Sequence, residues 1–171
     1  MKEVDWSKSH NGVMLCSIDK TIELMPETEE ILNSIIPHLQ HKAEDYLVDV
    51  KIHMLMPEQF PCIPNWHCDF VPRDLDLKQH RDKISGEEMY IWISGAPHTE
   101  YKTFQRKIET DVGPWTVINQ KDFHRGTMSE IHTWRCFIRL IPKWFVHPTT
   151  INVGTLRRHT QVYLDSTKFR W

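Results

Sequence analysis

The sequence predicts a mainly-β domain behind an N-terminal amphipathic helix, and three observations carry that prediction. Short β-branched or aromatic runs recur from Tyr46 onward, Pro, Gly and charged loops separate them, and the stretch with helical spacing lies before them all. Seven or eight strands at such spacing make a sandwich, a jelly roll or a barrel.

The helix is read from "ETEEILNSIIPHLQHKAEDY", where Ile31, Leu32, Ile35, Ile36 and Leu39 fall on one face after acidic residues that suit a helix N-terminus. Pro37 is its weak point. The strands are read from "DYLVDVKIHMLMP", "NWHCDFVP", "EMYIWISGA", "EYKTFQ", "PWTVINQ", "TWRCFIRLIP" and "TQVYLD". One domain accounts for all 171 residues: a helical segment over 1–45, a β core over 46–142 and an extension over 143–171. Among the jelly rolls open to such a core is the cupin-like double-stranded β-helix.

Composition narrows the function classes. Hydrophobic residues at 40% and charged ones at 26% suit a soluble globular protein, and seven tryptophans with ten prolines suit an aromatic-lined, loop-rich one. Lys and Arg number 21 against 23 Asp and Glu, a net charge of -2, so no global field recruits nucleic acid or an anionic membrane. Arg157, Arg158 and His159 form the one local basic patch singled out. The cysteines, Cys16, Cys62, Cys68 and Cys136, lack CxxC spacing, and there is no secretory h-region, so a reducing cytoplasmic setting is expected. No apolar run approaches the roughly 20 residues that span a bilayer.

The chemistry is sought first in "CIPNWHCDFVPRD". Residues two apart on a strand share a face, so His67 and Asp69 project together while Cys68 packs on the other side. Eleven histidines and eleven aspartates supply about 0.7 His-x-Asp pairs by chance, so the pair alone carries little weight. A second one, His80-x-Asp82, lies in "DLDLKQHRDK", which reads as a solvated loop. Only the first is followed at 57 positions by a histidine before a glycine turn, His124 in "KDFHRG", and 11 positions later by Arg135 in "TWRCFIRL".

In this order and spacing, over 46–142, the sequence resembles the Fe(II)/2-oxoglutarate-dependent oxygenases. "EMYIWISGA" and "VGPWTVINQKDFHRG" resemble the family's apolar strand after the His-x-Asp pair and its approach to the distal histidine. The resemblance implies a double-stranded β-helix, a facial triad of His67, Asp69 and His124 on Fe(II) with three positions left open, and 2-oxoglutarate as cosubstrate. It further implies decarboxylation to succinate and CO2, coupled to hydroxylation of a small-molecule or peptide substrate. An arginine fork would hold the far carboxylate of the cosubstrate. Arg135 is nearer the family's spacing; Arg139, 15 positions after His124 and closer to Pro142, is the alternative, expected at the rim.

Other residues carry weaker expectations. Tyr90 and Trp92 share a strand face and would touch cosubstrate or substrate if that face points inward; Trp66 and Trp115 are further aromatic candidates, against the commoner reading that strand aromatics are core. Asn65 and Arg73 flank the metal pair, and His132 is the alternative distal ligand. Two other functions fit the same residues: a cupin-like metalloprotein working without 2-oxoglutarate, and a non-catalytic β-sandwich accessory or binding protein of the kind phages and prophages encode.

Overall fold

The computed structural model describes residues 4–9, 11–71, 80–102, 114–147, 150, 153–157 and 160–164. Arg73, Arg158 and His159 lie outside the described residues, as does the end of the run "EYKTFQ". In chain order the strands are β1 (Gly12–Cys16), β2 (Tyr46–Leu55), β3 (Glu88–Ser94), β4 (Thr99–Lys102), β5 (Trp115–Asn119), β6 (Phe123–Gly126), β7 (Thr133–Pro142) and β8 (Thr155–Arg157). The two α-helices are α1 (Ile18–Leu24) and α2 (Glu29–Ile35). The protein is mainly β, with antiparallel sheets.

Strands β2 and β7 are the backbone of the fold. They pair antiparallel over their full length, from Tyr46 opposite Pro142 to Leu55 opposite Thr133. β3 and β5 extend the sheet beyond β7, and β1 and β8 extend it beyond β2, giving six strands in the order β5-β3-β7-β2-β1-β8. β4 and β6 form a separate two-stranded sheet. The peptide preceding His67 runs beside β6: the Gly126 amide donates to the Ile63 carbonyl at 3.0 Å, and His67 and His124 exchange backbone hydrogen bonds at 3.0 and 2.9 Å.

Residue alternation gives the six-stranded sheet two unlike faces. On the outer face Val48, Val50, Ile52, Tyr90, Trp92, Ile138 and Leu140 pack against Leu32 and Ile35 of α2 in one apolar core. The inner face carries a smaller apolar cluster with Met89, Ile91 and Ile141, and beside it the polar cavity described below.

The predicted helix is shorter and has company. α2 buries Ile31, Leu32 and Ile35, then tightens to a 3-10 turn over Ile36–His38, because Pro37 has no amide to donate and crowds the preceding turn. The segment expected to be helical also holds β1 and α1, the latter capped by the Ser17 side chain, which accepts from the Lys20 amide at 3.2 Å. "NWHCDFVP" does not form the expected strand: pairing is confined to the His67–His124 bridge, and the chain turns at Phe70, where φ is 55°. Gly126 is not a turn residue either. It ends β6, and a Cβ there would lie 2.7 Å from the Cys62 carbonyl oxygen, so glycine is needed for close approach of the 62–67 peptide. Among the described residues, no helix is long and apolar enough to cross a membrane.

Candidate metal centre

The bridge between His67 and His124 is the scaffold of the site. Residues that exchange both backbone hydrogen bonds in an antiparallel pair stand directly opposite each other, with side chains on one face. The two imidazoles accordingly lie side by side, ring centroids 4.4 Å apart. The turn after His67 brings the Asp69 carboxylate back to both, with Oδ2 3.3 Å from His124 Nε2 and Oδ1 3.8 Å from His67 Nε2. Cys68 points away, buried, with its thiol on the Lys121 carbonyl at 3.4 Å.

These three side chains fit a divalent ion. One donor atom from each lies within 4.8 Å of the others. Donors each about 2.1 Å from a shared ion stand roughly 3.0 to 3.4 Å apart for octahedral to tetrahedral angles; the His124–Asp69 pair at 3.3 Å falls in that range and the His67–Asp69 pair at 3.8 Å lies just beyond it. A backbone contact orients His67 for ligation through Nε2. Its Nδ1 donates to the Asn65 carbonyl at 2.8 Å, which fixes the tautomer and leaves Nε2 with its lone pair toward the carboxylate. Three protein donors, rather than the four of a closed structural site, leave positions free.

Two arginines from the inner face of β7 reach this cavity, in different ways. Arg139 is not at the rim. It is 7% exposed, pairs with Asp69 through Nη1 and donates through Nη2 to Asp49 at 3.0 Å. Desolvation opposes ionisation of Asp69, but Arg139 and then the two histidines outweigh it and hold the carboxyl well below the usual range. Arg135 is deeper, 1% exposed, with Nε donating to the Pro97 carbonyl at 2.9 Å and Nη2 to the Thr99 hydroxyl at 3.1 Å. Among the described residues, no carboxylate pairs with it.

The structure therefore brings His67, Asp69, His124, Arg135 and Arg139 to one cavity. Tyr90 and Trp92 it does not bring. Alternation on β3 turns both to the outer face, where the Tyr90 hydroxyl accepts from the Gln40 amide and Trp92 packs edge-on against Trp6. Trp115 is also outer core, its indole donating to Ser34. Trp66 carries Lys102 and Arg125 over its ring, and Asn65 contributes its backbone carbonyl to His67. His132 is exposed and outside the triad, and Asp82 lies exposed in a 3-10 turn, in keeping with a solvated loop.

Sequence reading missed Thr99 and Tyr101, which alternate onto the inner side of β4. The Tyr101 hydroxyl is buried beside the Thr99 side chain without a hydrogen bond of full geometry, and burial, outweighing Thr99, pushes its pKa up to about 12, so it remains a proton donor. Lys51 and His53 were missed as well, and Arg157 was noted only as part of a local basic patch. The signal for β2 was present in "VDVKIHM", where Asp49, Lys51 and His53 alternate with Val48, Val50 and Ile52.

No family model, curated protein or solved structure matches this chain, so the site is read from its own chemistry.

Proposed function

We propose that the protein is an Fe(II)/2-oxoglutarate-dependent oxygenase, built as a double-stranded β-helix, that hydroxylates a small-molecule or peptide substrate. The observation that carries this reading is the pairing of two unlike features in one cavity: an open His-Asp-His cluster, and Arg135, a deeply buried cation that pairs with no carboxylate among the described residues. A charge kept out of water without a partner is costly, and a ligand carboxylate would relieve that cost. The order of the cluster and Arg135 along the chain, which resembles that superfamily, supports the same conclusion.

In this reading His67, Asp69 and His124 hold the iron, with His67 oriented by Asn65. Bound there, Fe(II) would offer a redox-active centre with open positions, at which 2-oxoglutarate, in becoming succinate and CO2, and the substrate C–H bond would each give two electrons to O2. Arg135 binds the far carboxylate of 2-oxoglutarate through its fork. Thr99, already accepting from Arg135, and Tyr101 each retain a hydroxyl proton to donate to the same carboxylate. Arg139 acts as a positioning residue, bridging Asp49 to the Asp69 carboxylate and keeping Asp69 ionised and oriented.

The direct test is turnover without substrate. Protein supplied with Fe(II), ascorbate, O2 and 2-oxoglutarate is expected to release succinate slowly, and Arg135→Met is expected to stop that release. Metal binding by the wild type with no binding of 2-oxoglutarate would replace this reading with a cupin-like one.

A further inference from the structure

We infer that this cavity holds a second anion site, with Lys51 and Arg157 at its mouth and the buried His53 behind them, which takes a carboxylate or phosphate group of the substrate. The assignment of that anion to the substrate rests on the reading just proposed, in which Arg135 and the metal take the cosubstrate.

Exposure distinguishes Lys51 and Arg157 from Arg135. On β2, Lys51 lies opposite Phe137 and His53 opposite Arg135, so both occupy the inner face. Arg157, at the end of β8, reaches across to Asp49 at 2.6 Å. The Lys51 side chain is 27% exposed and that of Arg157 18%, against 1% for Arg135. An anion arriving from solvent meets Lys51 and Arg157 first, while Arg135 is reserved for a ligand that enters fully.

Charge supports the same division. Asp49, itself buried, serves three cations: it accepts from Arg139 at 3.0 Å and Arg157 at 2.6 Å, and Lys51 Nζ stands 3.9 Å away. Asp69 is shared between Arg139 and any metal. Among the described residues, four cationic side chains and a divalent ion would thus face two carboxylates, and a dianionic cosubstrate would still leave two positive charges unmatched. Burial, and the nearby Arg139 and Arg157, lower the Lys51 pKa even with Asp49 raising it. A cluster serving only the fold would pair its cations one for one, because an unmatched buried charge is destabilising.

His53 is the independent sign of a ligand. Its ring is 1% exposed and lines the cavity, yet neither nitrogen has a hydrogen-bond partner, the Gln161 backbone lying alongside but out of bonding geometry. Burial first, then Arg135 and Lys51, depress its pKa to about 3, so at neutral pH it presents one N–H and one lone pair. Polar groups so buried are almost always satisfied, and a ligand oxygen between Lys51 and Arg157 would satisfy this one.

The probes are methylphosphonate and acetate, titrated into Zn(II)-loaded protein saturated with 2-oxoglutarate and followed by 1H–15N NMR. At least one is expected to bind at millimolar concentration, with shifts at Lys51, His53 and Arg157; preference for one over the other distinguishes a phosphate-bearing from a carboxylate-bearing substrate. Lys51→Met and Arg157→Gln should each weaken binding about tenfold or more, the loss expected for one charged hydrogen-bond partner, and Lys51→Arg should restore most of it. Lys51→Met should lower affinity for 2-oxoglutarate far less than Arg135→Met does, since Arg135 with Thr99 makes up that subsite. Binding of neither probe, or binding that both variants leave unchanged, overturns the inference. If 2-oxoglutarate fails to bind the metal-loaded protein while a probe binds in a Lys51- and Arg157-dependent way, the anion site stands and the oxygenase reading falls.

Discussion

The two faces of the six-stranded sheet are made from the same strands and do opposite work. Along β2, Val48, Val50 and Ile52 enter the helix-covered core, while Asp49, Lys51 and His53 take the inner face, the last two lining the cavity; along β7, Cys136, Ile138 and Leu140 face out and Arg135 and Arg139 face in. The outer face supplies stability by removing apolar area from water. The inner face spends part of it, holding ionisable groups away from solvent where several lack matched partners. The proposed metal and ligand anions would offset that cost on the inner face.

That comparison sets the order of expected effects, beginning with the largest. Arg135→Met should lose 2-oxoglutarate binding several hundred-fold or more, since removing one partner of a buried charge pair costs on the order of 3 to 5 kcal/mol. Its thermal stability should be unchanged or higher, because an unmatched buried cation is removed. Arg135→Lys should recover only part of the binding, lysine lacking the planar fork. Calorimetry on Mn(II)-loaded protein, with thermal melts of the metal-free form, checks both halves.

Leu140→Ala, on the outer face of the same strand, should do the reverse. It should cost about 2 to 5 kcal/mol in urea unfolding, as for other buried leucines, and leave metal and 2-oxoglutarate affinities unchanged below the melting transition. Loss of binding in a folded Leu140→Ala protein would erase the distinction between the faces.

His67→Ala, Asp69→Ala and His124→Ala should each lower Co(II) or Mn(II) affinity by at least about 10- to 100-fold, at or beyond what loss of a supporting outer-shell partner costs. His132→Ala and His80→Ala should be silent in the same titrations. Retained metal binding in all three triad variants would place the metal elsewhere.

The smallest effect is a slope with pH. His53 has a folded pKa of about 3 against 6.5 as an ordinary side chain, so the unfolded chain takes up the proton first. Its contribution to stability is complete above pH 6.5 and is lost as pH falls toward 3, at about 1.4 kcal/mol per pH unit. Replacing His53 by Met should flatten urea-unfolding stability between pH 6 and pH 4; an unchanged slope would show that His53 is not buried as a neutral ring.

Much of this was legible in the sequence, for identifiable reasons. The long strands β2, β3 and β7 announce themselves by β-branched and aromatic runs, and the cluster of His67, Asp69 and His124 by ordered spacing. What stayed hidden depends on tertiary contact. β1 and β8 are short and are held by neighbours rather than by pattern, so the residues on either side of the predicted core gave no sign that Arg157 would reach the cavity. Tyr90 and Trp92 share a face, as alternation requires, but alternation cannot say which face the helices cover. The polar set Asp49, Lys51 and His53 has the pattern of a solvent-facing strand surface, and only the small sheet opposite turns that surface into a cavity wall. Gly126 looked like a turn because glycine is common there; its actual constraint is the closeness of Cys62.

The central claim is that the inner face joins an open metal site to an arginine reserved for a dicarboxylate. Its most direct measurement is calorimetric titration of 2-oxoglutarate into wild-type protein with and without Mn(II), under argon, beside Arg135→Met and His124→Ala. The expected result is one 2-oxoglutarate per chain bound only with metal present, and lost in both variants, with Arg135→Met still binding metal. Binding of 2-oxoglutarate that does not depend on metal, or that survives Arg135→Met undiminished, would contradict it.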